Sequence, residues 1–320
     1  WVLMVEDYWR WAGPRERAFV RSNLHTVDGV LWFFRERLRE DGFVGPVPHW
    51  NMVDRAEGWH AGEPPAILAG ESTYLTCLYA CALDAAVRLH RQAGDPLDAE
   101  RWRALADRLR QAVRAGAWSE EEGLFLEGPG RTDDALSQHS QVLAILSDAA
   151  TPEQTQRILE RLTTDASLIR TKFMQSYYLA RALEKAGAYE AVATHVLEPW
   201  RQMLDLHLTT WCEYLPGRSD CHAWSSWIAV DFLTCVLGIK PARPGFEEVL
   251  IRPQTGACEW ARGSMPTPVG TVTVEWRKDP STGIVALQAQ APEGIPTVVQ
   301  LPGVEPERHD AGGKITLASG

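Results

Sequence analysis

Leu237-Gly238-Ile239-Lys240-Pro241, running through Arg243-Pro244-Gly245-Phe246 to Val249-Leu250-Ile251-Arg252-Pro253, is the stretch in which the chain changes its period. Before Gly238 the apolar residues recur at helical spacing, and after it they recur every second residue. The downstream runs Val249-Leu250-Ile251, Val269 to Trp276, Ile284 to Ala289, Thr297 to Leu301 and Ile315 to Leu317 are short and β-prone. Turn-forming clusters such as Asp279-Pro280-Ser281-Thr282-Gly283 separate them. This pattern predicts a small antiparallel β-sandwich over residues 241–320, behind a helical domain over residues 1–240.

Upstream, Leu75, Leu78, Ala82, Ala86 and Leu89 form one core-facing stripe, and Trp102, Leu105, Leu109 and Val113 form the next. Gly13-Pro14, Asp41-Gly42, Gly94-Asp95-Pro96, Gly116 and Gly187 interrupt the periodic runs. Thr151-Pro152-Glu153-Gln154 reads as an N-cap, a first-turn proline and a capping-box partner, so a helix is expected to start there. About nine helices follow from these signals, over 1–11, 15–39, 68–94, 97–115, 135–149, 152–163, 172–186, 188–206 and 222–238. A long series of helical hairpins stacks as a solenoid or closes as a ring, and the lack of a fixed-period repeat disfavours the solenoid.

The 320 residues suffice for a large core and suggest two unequal domains. A net charge of -10 with no basic track argues against a nucleic-acid partner. No apolar run approaches the roughly 20 residues that cross a bilayer. Cys77, Cys81, Cys212, Cys221, Cys235 and Cys258 contain no CxxC pair; buried free thiols in a reducing, cytoplasmic compartment are expected. Fourteen tryptophans, several in loop-like stretches, suit platforms for sugar rings.

Three constellations carry candidate chemistry. Glu213, in Thr209-Thr210-Trp211-Cys212-Glu213-Tyr214, is a carboxylate among aromatics outside any helical stripe, where it can act as a base towards water. A surface Glu solvating its loop is the ordinary alternative. In Asp220-Cys221-His222-Ala223-Trp224-Ser225-Ser226-Trp227, His222 is placed to bond a sugar hydroxyl or to orient Glu213, against the plain reading of a capping or core histidine. Ser225 and Ser226 lack the surroundings of a nucleophilic serine. The long loop from Gly42 to Ile67 carries His49, Trp50, Asn51, Asp54, Glu57, Trp59, His60 and Glu63. Trp50 suits a sugar face or a seal at the rim, and no zinc or calcium spacing is present, so no metal and no cofactor is expected.

Several stretches together carry a family resemblance: Trp1 to Trp11 with Gly13, Phe173-Met174-Gln175, Pro199-Trp200 with Met203-Leu204, Thr209 to Glu213, Ser219 to Trp224, and the junction from Leu237 to Pro253. Over nearly its whole length the chain is similar to the carboxyl-terminal half of bacterial α-L-rhamnosidases, the family 78 glycoside hydrolases. The resemblance implies a mainly α fold: an (α/α)6 toroid lacking its first helices, followed by the β-domain. It implies inverting cleavage of terminal α-L-rhamnose by a general acid Glu and a general base Glu. By motif, Glu213 matches the base and His222 the substrate-contacting histidine. Trp1 and Trp50 resemble rim tryptophans, and Trp211 and Trp224 complete the expected substrate-binding set.

Two departures stand out. Cys212 precedes Glu213 where the family has Trp, with Trp211 displaced by one place. The family's acid lies in a glycine-containing Asp/Arg/Glu-rich motif upstream of the segment matching Trp1, and the chain holds no such motif. A missing amino-terminal segment is therefore expected to supply the acid and the helices that complete the ring. Exposed apolar helix faces would make the free-standing chain unstable, dimeric or aggregation-prone. A non-catalytic carbohydrate-binding or regulatory module is the alternative reading. Another helical-toroid enzyme would need a different acid or a Tyr/His base.

Overall fold

The computed structural model describes residues 1–215, 219–256 and 258–319. The helices are α1 (Val2–Ala12), α2 (Arg17–Arg35), α3 (Pro65–Ala69), α4 (Thr73–Ala93), α5 (Pro96–Ala117), α6 (Gln138–Leu146), α7 (Pro152–Leu162), α8 (Phe173–Lys185), α9 (Glu198–Asp205) and α10 (Trp227–Asp231). A short hairpin of two-residue strands, β1 (Trp118–Ser119) and β2 (Leu124–Phe125), follows α5. The chain divides into two compact units: Trp1, Leu3–Ser22 and Ser226–Gly320 form one, and Val2 with Asn23–Ser225 forms the other.

Within the second unit, α4 packs against α5, and α6 packs against both α4 and α8. The sequence explains this layering. Gln138 through Ile145 are all buried, so α6 is enclosed on every side, whereas α7 buries only Ile158 and Leu162 and leaves a polar outer face. The helix expected at Thr151-Pro152 starts there, and both capping-box hydrogen bonds form, Gln154 N–H to Thr151 Oγ1 at 3.2 Å and Thr151 N–H to Gln154 Oε1 at 3.0 Å.

Several expected helices change shape, each for a local reason. The run predicted over 188–206 is broken: a π-turn covers Val192–Val196 and α9 begins at Glu198, because Pro199 has no N–H to continue an earlier helix. The run over 222–238 becomes a 3-10 turn at Ala223–Ser225, α10, and a π-turn at Phe232–Val236. There the Ser225 hydroxyl bonds the His222 carbonyl and competes with helix continuation. α5 instead runs through Gly116, where the Phe43 ring occupies the space 3.1 Å from where a Cβ would sit.

In the first unit, β3 (Ile239–Arg243), β4 (Glu248–Ile251), β8 (Thr297–Val299) and β9 (Glu307–His309) form one sheet in the order β3-β4-β8-β9, while β5 (Trp260–Thr267), β6 (Gly270–Lys278), β7 (Val285–Ala291) and β10 (Gly313–Ala318) form another in the order β10-β7-β6-β5. All pairings are antiparallel except β4 with β8, which is parallel. Residues Val285 to Ala291 alternate strictly between buried and exposed, which is the half-buried strand pattern. The shared core holds Trp276, Phe246, Val272, Val274, Leu287 and Ile251, and the Trp276 indole N–H reaches the Val236 carbonyl at 2.9 Å.

All six cysteines are unbridged. Cys77, Cys212 and Cys235 are buried and Cys81 is half-buried, but Cys221 and Cys258 are exposed, which corrects the expectation of uniformly buried thiols. Burial pushes the Cys77 thiol up to about 12, so it is inert at neutral pH. No helix among the described residues is long and apolar enough to cross a membrane.

Candidate active site

The loop after α9 is folded back on itself. Glu213 N–H donates to the Ser219 carbonyl and His222 N–H to the Trp211 carbonyl, each at 2.7 Å. Ser225 Oγ donates to the Cys212 carbonyl at 2.6 Å, and the Trp224 indole N–H donates to the Glu213 carbonyl at 2.9 Å. Trp200 reaches into the same loop, its indole N–H on the Ser225 carbonyl at 2.8 Å and its ring edge-to-face with Phe173 of α8. Ser225 thus works as a clasp for the backbone.

These bonds hold Glu213 with 7% of its surface exposed. A buried carboxylate needs a partner. Arg55 supplies it, with Nε and Nη2 each 3.2 Å from Oε1. Among the described residues, Oε2 has no protein hydrogen bond. The His222 ring lies 4.2 Å from the Trp224 ring, so the histidine stands on an aromatic surface beside the carboxylate's own loop.

Arg55 is itself positioned by a buried polar cluster. Asp54, 2% exposed, receives His139 Nε2 at 2.8 Å and the Lys172 backbone N–H at 2.7 Å on Oδ2, and the Arg55 backbone N–H at 2.8 Å on Oδ1. The Gln175 amide donates to the Val53 carbonyl and the Tyr74 hydroxyl, both at 2.9 Å. The segment 53–55 is therefore tied to α4, α6 and α8 at once. Burial pushes the Tyr74 phenol well above its ordinary value, so it stays a neutral hydrogen-bonding group.

Another carboxylate is buried on the β2–α6 loop. Glu127 accepts from Ser137 N–H and Ser140 Oγ, both at 2.7 Å, and burial pushes it up to about 7. It lines a cavity of about 260 Å³ together with Glu57, Trp59, Pro64 and Asp134. A larger cavity of about 390 Å³ is lined by Arg55, Lys172, Tyr214 and neighbours from α8 and α9.

Trp211, Glu213, His222 and Trp224 come together in this loop. Trp50 stands on the 42–67 loop, 63% exposed, with its indole N–H on the Ala61 carbonyl. Trp1 is the N-cap residue of α1, half exposed, and belongs to the other compact unit. Sequence reasoning placed Asp54 in a loop of interest but missed Arg55, His139 and Lys172. One signal was readable: Ser137-Gln138-His139-Ser140-Gln141 is a run of polar residues inside a helix-forming stretch, and all five are buried.

One group resembles metal ligands elsewhere. Asp28, His90 and Asp98 lie within 4.8 Å of one another. Each residue already has a protein partner: Asp28 Oδ1 takes His90 Nε2 at 3.0 Å and the Trp102 indole N–H at 2.9 Å, and Asp98 pairs with Arg101. The cluster ties α2, α4 and α5 together.

Residues 4–236 match the family model for the bacterial α-L-rhamnosidase 6 hairpin glycosidase domain, and residues 238–316 match that for the bacterial α-L-rhamnosidase C-terminal domain. An α-L-rhamnosidase of Alteromonas sp. (strain LOR) is 26% identical over 200 residues, covering 56% of this chain and 21% of that protein. The structure of a family 78 rhamnosidase of Bacillus sp. GL1 superimposes with a TM-score of 0.84 at 28% identity, covering 95% of this chain and 33% of that one. That of a Streptomyces avermitilis α-L-rhamnosidase complexed with L-rhamnose superimposes at 0.69 with 19% identity, covering 98% and 31%, and so shows the fold alone. The chain spans a third or less of the length of each of these relatives.

Proposed function

The chain belongs to the bacterial α-L-rhamnosidase six-hairpin glycosidase family, and we propose on that premise that it forms most of the catalytic domain of a glycoside hydrolase that removes terminal α-L-rhamnose. The observation that carries the reading is Glu213, a carboxylate held in a buried aromatic loop by Arg55 through one oxygen only. Oε2 is then the atom that takes a proton from water. The water oxygen attacks the anomeric carbon, the glycosidic C–O bond breaks, and the leaving oxygen takes a proton from a general acid on the opposite side. Inversion by this route needs the two carboxyl groups about 6.5–9.5 Å apart.

Arg55 orients Glu213, and the Asp54–His139 pair keeps Arg55 in place. Trp211, Trp224 and His222 supply aromatic surface and a hydrogen-bonding ring for the sugar, with Trp50 at the rim. The acid is assigned to polypeptide preceding Trp1 in the complete protein, and the boundary between the helical and β parts is placed near Lys240. Exposed unbridged thiols such as Cys221 persist best under reducing conditions, which supports a cytoplasmic location.

The test is hydrolysis of p-nitrophenyl α-L-rhamnopyranoside by the complete protein with and without Glu213→Gln. Loss of a general base is expected to lower kcat by about 10²–10⁴-fold with rhamnose binding retained. A complete protein that binds rhamnose and never hydrolyses the glycoside is a binding module instead. Unchanged turnover in the Gln variant would falsify the assignment of the base.

A further inference from the structure

The chain carries a net charge of -10, yet the larger cavity beside the Glu213 loop is lined by Arg55, Arg170, Lys172 and His195 with no Asp or Glu among its lining residues. Glu213 neutralises Arg55. Among the described residues Arg170 donates only to the Thr163 carbonyl, and no carboxylate lies within ion-pair distance of Arg170 or Lys172. α8 opens at Phe173 on the same wall, so its positive end adds to the side-chain charge. A concave site lined by one sign of charge focuses its field on a ligand of the other sign. The cavity, about 390 Å³, is within the range that holds a small ligand, and Tyr214 and Pro199 give it an apolar wall suited to the C–H face of a pyranose.

We infer that this cavity is a subsite for an anionic sugar, a uronate whose carboxylate is received by Lys172 and Arg170. It would hold the residue next to the scissile rhamnose. The placement rests on the rhamnosidase reading, because Arg55 belongs both to the cavity and to Glu213 and Tyr214 follows Glu213 directly. The carboxylate restores the charge balance that the protein leaves open there.

The experiment compares binding of methyl β-D-glucuronide, methyl β-D-glucoside and a 6-sulfated methyl glucoside to the complete protein by calorimetry. In parallel, kcat/KM is measured for rhamnosyl-glucuronate and rhamnosyl-glucose disaccharides. The glucuronide is expected to bind about tenfold more tightly than the neutral glycoside, a preference that shrinks as salt is raised. Lys172→Met and Arg170→Gln should each remove most of that preference, and Lys172→Arg should keep it. The kinetic ratio of acidic to neutral disaccharide should fall in the same variants. Equal binding of acid and neutral sugar, or a preference untouched by both substitutions, overturns the subsite. Tighter binding of the sulfate ester than of the uronide overturns the carboxylate assignment. Selective uronide binding without hydrolysis of any rhamnoside supports the subsite and removes the rhamnosidase reading, so the two failures are distinct.

Discussion

Glu213 and Glu127 show how differently two carboxylates are read at the residue scale. Glu213 stands out in the sequence because it interrupts an aromatic loop. Glu127 follows Leu124-Phe125-Leu126 and looks like a surface residue at the end of a turn; only its enclosure under the first turn of α6 raises it to about 7. Its proton therefore contributes to stability. Between pH 4.5 and about 7 the folded chain keeps a proton that the unfolded chain has lost, so stability falls as pH rises through that window and levels off above it. The whole effect is about 3 kcal/mol. Glu127→Gln keeps an acceptor for the Ser137 N–H but cannot ionise, so its unfolding free energy should lose about 3 kcal/mol less than the wild type between pH 4 and 8. Urea titrations at these pH values check it, and identical slopes for both proteins would remove the buried-acid account.

At the scale of elements, the glycines at the ends of runs matter more than the runs themselves. Gly13 and Gly245 have φ of 81° and 70°, and their Cα atoms face each other: a Cβ on Gly13 would lie 2.4 Å from the Gly245 Cα, with only backbone in the way. Both were legible as punctuation, in Gly13-Pro14 and Pro244-Gly245. Their opposition was not, since over two hundred positions separate them. Gly13→Ala is expected to cost more than about 2 kcal/mol, from the positive φ and the clash together. A melting temperature within a degree of the wild type, followed by circular dichroism, would show that the contact yields. The 188–206 segment carries the opposite lesson: at Pro199 a single missing N–H outweighs an otherwise continuous helical stripe.

For the whole molecule, the proposal that the general acid lies upstream of Trp1 is tested by comparing residues 1–320 with a version extended at its amino terminus. On that proposal residues 1–320 should hydrolyse a rhamnosyl disaccharide about 10²–10⁴-fold more slowly than the extended version. Equal rates in a side-by-side assay would put the acid within these residues. The period change at Gly238, the capping box at Thr151 and the alternating strand at Val285–Ala291 were determined by the sequence alone, because each depends on residues a few positions apart acting through backbone geometry. The site was not so determined. Arg55 meets Glu213 across 158 positions, His139 meets Asp54 across 85 and the Lys172 backbone meets Asp54 across 118. Such pairs leave no local periodic trace, since what brings them together is the packing of α4, α6 and α8, and only the folded core excludes the water that would otherwise satisfy each of them separately.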